Sequence, residues 1–187
     1  MMENPTIESH QLSVHGRSFE LLLSHEDVQR TVHQLAARIS SDYAGMDPLC
    51  IVVLNGAFIF AADLVRAMTF DPEIVCVKVA SYKQMQSSGK VQEIIGLDVP
   101  LAHRNVIVIE DIVDTGHTIA YLSQLLKDKG AASVAFTTFL MKPEAYQYGV
   151  PIDYVGTNIP NRFVIGYGLD FDGHGRSLPG IYILKDV

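Results

Sequence analysis

Cysteine is scarce in this chain, with Cys50 and Cys76 the two that occur in 187 residues. Both stand inside apolar, strand-like runs. That predicts two buried thiols in a reducing compartment and excludes a disulfide framework. Basic residues are also few, 14 Lys and Arg against 21 Asp and Glu, for a formal net charge of −7 and a sequence pI near 5.4. This balance speaks against a protein that binds nucleic acid through its phosphates, which needs a basic face. No apolar run approaches the ~18 residues of a membrane span, and the start, Met1-Met-Glu-Asn-Pro-Thr, lacks a basic segment followed by an apolar core. The expectation is a cytoplasmic protein with no membrane contact. Repeats and low-complexity tracts are missing. So are the Gly-Lys-Thr/Ser end of a Walker loop and the Gly-x-Gly-x-x-Gly dinucleotide fingerprint. An apolar content of 48% suits one domain, 1–187, with a substantial core.

The stretch Val106-Ile-Val-Ile-Glu-Asp-Ile-Val-Asp-Thr-Gly-His-Thr-Ile119 is the most informative in the chain. It opens on four β-branched residues with no polar interruption, the pattern of a strand covered on both faces of a parallel sheet. Glu110 and Asp111 follow, and two adjacent carboxylates at the end of a buried run need a cation, hydroxyl donors or water. After Asp114-Thr115-Gly116-His117-Thr118 the apolar spacing becomes helical, through Ile119, Leu122, Leu125 and Leu126 to Gly130. Strand, polar turn and helix make a cradle of backbone N–H groups and hydroxyls for a phosphate, with Gly116 permitting the tight turn. A ligand with both a phosphate and hydroxyls, and a divalent metal between the acids and further phosphates, fits these groups.

The pattern acid, acid, two apolar residues and Asp-Thr-Gly-x-Thr after a buried strand resembles the phosphoribosyl diphosphate (PRPP) motif of the type I phosphoribosyltransferases. A second strand–turn–helix corner occurs at Leu49-Cys-Ile-Val-Val-Leu54, Asn55-Gly56-Ala57 and the run from Phe58 to Met68. In an open parallel sheet, ligands collect at such corners. By the resemblance, the backbone of Asn55 and Gly56 grips the diphosphate of PRPP, and Asn55 stands where several relatives carry a cation. A third strand, 73–80, leads into Ser81-Tyr82 and a polar stretch to Lys90. Composition suits a mobile lid or a hairpin returning along Val91–Ile95, and the Ser-Tyr pair resembles the head of the lid in the hypoxanthine–guanine branch.

Nearer the N-terminus, residues 1–17 read as polar and loosely held, and 18–23 as a short edge segment. Ser24 reads as the N-cap of a helix with Glu26 and Asp27 in its first turn and its stripe at Val28, Val32, Leu35 and Ile39. His25 and His33 read as surface residues. Beyond the central motif come strands near 132–141, 154–156, 163–166 and 180–184. The whole is expected to be an α/β fold with a doubly wound, mainly parallel sheet, helices on both faces, a core of about 20–141, and a small hood from the N-terminal segment and about 142–187.

The segment from Phe139-Leu-Met-Lys142 through Asp153-Tyr-Val-Gly-Thr-Asn-Ile-Pro-Asn-Arg-Phe163-Val164 to Asp170 and Arg176 resembles the carboxyl-terminal half of the hypoxanthine–guanine branch. The resemblance implies that Lys142 donates to O6 of a 6-oxopurine, Phe163 stacks on it and Val164 offers main-chain contacts. It implies Asp170 as a ligand of Mg²⁺ and Arg176 as a contact of diphosphate oxygens, whereas a plain reading makes those two a surface ion pair. Glu110 and Asp111 then hold the ribose hydroxyls and the metal, Asp114 is the general base at N7, and Thr115, Gly116, His117 and Thr118 form the 5′-phosphate loop. For both acids to face one ligand, the strand must already be turning at that point. Relatives form homodimers and homotetramers, so a homo-oligomer is implied. A regulatory PRPP sensor that binds RNA is the reading from another class, and the acidic balance counts against it.

Overall fold

The structure, a computed structural model, describes residues 11–81, 91–95 and 97–185. The strands are β1 (Gln11–Val14), β2 (Arg17–Leu23), β3 (Leu49–Leu54), β4 (Glu73–Ser81), β5 (Val91–Ile95), β6 (Asn105–Val113), β7 (Ser133–Met141), β8 (Tyr154–Asn158), β9 (Val164–Ile165) and β10 (Ile181–Leu184). Between them lie the helices α1 (His25–Asp42), α2 (Phe58–Ala67) and α3 (His117–Asp128).

Six strands form the central sheet in the order β5-β4-β3-β6-β7-β8. All are parallel except β5, which returns antiparallel beside β4. The uninterrupted apolar runs are the reason for its central position. In β3, Cys50 and Val52 face the layer of α1 and α2, while Leu49, Ile51 and Val53 face the layer of α3. In β6, Ile107 and Ile109 face the first layer, Val106 and Val108 the second. A strand buried on both sides has no polar position to offer. The crossover from β3 goes through α2 to β4, and that from β6 through α3 to β7, on the opposite face. Neighbours β3 and β6 therefore diverge, and a crevice opens at their carboxyl ends.

The α1 N-terminus forms as expected, and as a full capping box: the Ser24 side chain accepts from the Asp27 N–H, and the Asp27 carboxylate from the Ser24 N–H. This is worth about 1 kcal/mol. His25 and His33 are exposed.

Three expectations need correction. Residues 11–23 are a β-hairpin rather than a loose tail and an edge segment. Its turn, His15-Gly16, holds both residues at positive φ, the conformation that matches strand twist in a two-residue hairpin, and Leu12, Val14 and Phe19 fill the hood's own core. Strand β2 is internal in a four-stranded sheet ordered β1-β2-β10-β9. Next, the core sheet continues past residue 141 to take in β8, while the hood sheet begins with β1 and β2. Finally, Cys50 is buried but Cys76 is exposed. It shares the outer face of β4 with Ile74, also exposed, because α2 packs over β3 and β6 and leaves that face of β4 uncovered.

Candidate active site

The crevice between the ends of β3 and β6 is a cavity of about 370 Å³. Of the residues expected to act, Gly56, Glu110, Asp111, Asp114, Thr118, Lys142, Phe163, Val164, Asp170 and Arg176 line it. They come from both strand–turn–helix corners, the end of β7 and the hood. Asn55, Thr115, Gly116 and His117 belong to the same two turns without lining the cavity. Ser81 ends β4. Tyr82 and the rest of the lid expected over 82–90 lie outside the described residues.

Strand β6 is irregular at the two acids, as the sequence required: Ile109 and Ile112 both face the α1 and α2 layer, and Val108 and Val113 both face the α3 layer, so the alternation slips between them. It stays paired to β7 through Val113 but parts from β3 after Ile109. That opening, with the break in alternation, lets both carboxylates reach the cavity. Glu110 is buried, and its Oε2 has no hydrogen-bond partner. Burial, together with the neighbouring Asp111 charge, pushes its pKa well above the usual carboxylate range. Asp111 is pushed up to about 6, chiefly by burial, against the hydrogen bond its Oδ1 accepts from the Ile112 N–H at 2.8 Å and the pull of Arg176. A Cβ on Gly56 would lie 1.4 Å from Asp111 Oδ2, so only glycine leaves the carboxylate its place beneath the first turn. The Leu54–Asn55 peptide at that turn is cis.

At the second turn Gly116 is the N-cap of α3, left-handed at φ 89°, and no side chain caps the helix. The N–H groups of its first turn are therefore left for a ligand, and an anion suits them. Lys142, buried at the end of β7, donates to Asp114 Oδ2 at 2.7 Å. Phe163 is 44% exposed, an unusual state for a large apolar ring and one that leaves its face open to a flat ligand. Its backbone is fixed by the Leu184 N–H bond to its carbonyl.

Asp170 and Arg176 do form an ion pair, Oδ1 to Nη2 at 2.7 Å, yet both line the cavity. Arg176 also donates to the Gly168 carbonyl at 2.6 Å, and Asp170 Oδ2 accepts from the Gly173 N–H at 2.8 Å. A Cβ on Gly168 would lie 2.0 Å from the Gly56 carbonyl oxygen. The hood thus rests directly on the first turn. Among the described residues no three His, Cys, Asp or Glu side chains converge closely enough to hold a metal ion by themselves. Sequence reasoning also missed Tyr146, Gln147 and Tyr148, which contact residues 115–117. Their separation along the chain hides the contact.

An open parallel sheet with its site at the switch point, an uncapped glycine-led helix start and paired acids beside it define a protein for phosphorylated sugars. Residues 18–172 match the phosphoribosyl transferase domain. The chain is 38% identical over 175 residues to the hypoxanthine-guanine phosphoribosyltransferase of Aquifex aeolicus, covering 92% of this chain and 98% of that one. It is 39% identical over 167 residues to the protein of the same name from Bacillus subtilis, covering 89% and 93%. The crystal structure of a hypoxanthine-guanine phosphoribosyltransferase from Bacillus anthracis, with a HEPES molecule in its active site, superposes with a TM-score of 0.83 at 38% identity, over 88% of this chain and 97% of that one. The chain belongs to the phosphoribosyltransferase family, in its hypoxanthine–guanine branch.

Proposed function

We propose that the protein works in purine salvage, transferring the 5-phosphoribosyl group of PRPP to N9 of hypoxanthine or guanine. The bond from C1′ to the diphosphate oxygen breaks, the bond from C1′ to N9 forms, and IMP or GMP leaves with diphosphate. One observation supports this reading: Glu110, Asp111, Asp114, Thr118, Lys142, Phe163, Asp170 and Arg176 line a single cavity. The α3 N-terminus and the hydroxyls of Thr115 and Thr118 take the 5′-phosphate. The backbone at Asn55 and Gly56 takes the diphosphate, with Arg176 contributing charge. Phe163 stacks on the purine, Val164 meets it through its main chain, and Lys142 donates to O6. Asp114 accepts the N7 proton as N9 attacks. Glu110 and Asp111 accept from the ribose hydroxyls, which gives the unpartnered Glu110 Oε2 a donor.

The donor set fits Mg²⁺. It consists of hard carboxylate oxygens, Asp111 and Asp170 near the diphosphate turn and Glu110 beside them, too few for a cage and suited to an ion completed by water and ligand oxygens. When bound, Mg²⁺ neutralises charge on the leaving diphosphate.

The single domain acts in the cytoplasm as a homodimer or homotetramer. The first part is supported by the free thiols of Cys50 and Cys76 and by the lack, among the described residues, of a helix long and apolar enough to cross a membrane. Phe58 and Ile74, exposed apolar side chains, suit burial by a second copy. Sedimentation checks the assembly.

The function is tested by diphosphate release from PRPP and Mg²⁺ with each base in turn. Release with hypoxanthine or guanine, none with adenine or uracil, and loss on chelation are the expected results. Silence with every base despite PRPP binding replaces the enzyme with a PRPP sensor.

A further inference from the structure

The segment after β7 runs alongside the central motif and contacts it residue by residue. The Lys142 N–H donates to the Val113 carbonyl at 2.9 Å, and the Lys142 ammonium to Asp114. The Gln147 N–H donates to the Thr115 carbonyl at 3.1 Å. A Cβ on Gly116 would lie 2.3 Å from the Tyr146 ring, which therefore covers the glycine's open side. Tyr148 Oη lies 2.6 Å from His117 Nδ1, with the two rings edge to face at 5.1 Å between centroids. The Tyr146 hydroxyl closes the segment on itself by donating to the Val150 carbonyl.

We propose that this segment is a strap that sets the shape of the 5′-phosphate loop, and that Tyr148 is a positioning residue acting through His117. The inference rests on the reading of residues 115–118 as the phosphate site. His117 is the first residue of α3, so its backbone N–H belongs to the cradle while its side chain is engaged by Tyr148. A left-handed Gly116 with no side-chain cap leaves this turn few restraints of its own. The strap supplies them, and past Lys142 none of its residues lines the cavity. A phenol is a strong donor and a weak acceptor, because its lone pair is delocalised into the ring. Tyr148 O–H therefore donates to Nδ1 and fixes His117 as the Nε2–H tautomer. The strap begins at Lys142, so one short segment ties the purine-reading cation to the phosphate end of the site.

Only ligands with a 5′-phosphate use the turn, and this makes the test selective. Nitrogen NMR of the wild-type protein reads the tautomer directly, and Nε2–H for His117 is expected. In Tyr148→Phe, which keeps the ring contact and removes the hydroxyl, ribose 5-phosphate binding by calorimetry, KM for PRPP and inhibition by IMP should each weaken about fivefold, the loss of one neutral hydrogen bond. KM for hypoxanthine and inhibition by diphosphate should not move. In a His117→Ala background the same change should add nothing. A Nδ1–H tautomer, equal losses for all ligands, or additive effects in the double variant would overturn the strap. Absence of turnover with normal ribose 5-phosphate binding would instead overturn the proposed reaction.

Discussion

Lys142 and Asp114 are ion-paired at 2.7 Å, 9% and 48% exposed in their side chains, and both line the cavity. On the proposed reading, each occupies the place of the other's contact with the base. A 6-oxopurine offers the O6 acceptor and the N7–H donor on one edge, so it can take over from each partner at once. Adenine offers an amino donor where the lysine needs an acceptor, and the pair has no reason to open for it.

Lys142→Ala should therefore lower kcat/KM for hypoxanthine by roughly 10- to 100-fold, the worth of a charge-assisted hydrogen bond. KM for PRPP should change less than threefold (~0.6 kcal/mol). Steady-state kinetics with each substrate varied separately checks this, and equal effects on both substrates would contradict the placement of Lys142 at the base.

Asp114→Asn keeps the shape and removes the proton acceptor. Turnover should fall by roughly 10²- to 10⁴-fold, the range for general acid–base groups, while PRPP binding, measured by calorimetry, stays near the wild-type value. Matching losses in both would end the base assignment.

The buried acids make the free protein's stability depend on pH. Burial raises Asp111 from its ordinary 3.8 to about 6, so its contribution is fully present below pH ~4 and is lost as pH rises through about 6. The difference amounts to roughly 3 kcal/mol at neutral pH. Urea denaturation in the presence of a chelator should show Asp111→Asn more stable than wild type at pH 7 and equal to it at pH 4. A variant less stable at pH 7 would mean that the carboxylate is held by attraction rather than strained by burial.

Gly56→Ala places a methyl group on the Asp111 carboxylate. Displacing that group by about an ångström should reduce kcat/KM for PRPP by ~10²-fold. Circular dichroism should show the fold intact, since the carboxylate can swing into the cavity. Wild-type kinetics would show that Asp111 does not contribute from this position.

Much of the fold is legible because its signals are local. The apolar runs of β3 and β6 have no polar face, so they belong inside a parallel sheet. Ser24 and Asp27 cap the helix that follows them. Gly116 stands where the chain must turn with positive φ. The His15-Gly16 turn was not legible, because histidine seldom adopts that conformation and no glycine pair announces the hairpin.

What the sequence by itself determined, then, is the strand–turn–helix chemistry of residues 106–119 and the residue types around it, since spacing of a few positions fixes which groups share a turn. Only the tertiary structure decided how distant segments meet. Lys142 reaches Asp114 and Tyr148 reaches His117 because β7 lies beside β6 in the sheet. Asp111 fits under Gly56 because β6 parts from β3 after Ile109. Cys76 stays exposed because α2 crosses β3 and β6 instead of β4. Such contacts depend on which elements pack together, and that is settled by burying apolar surface across the whole chain rather than by any one stretch of it.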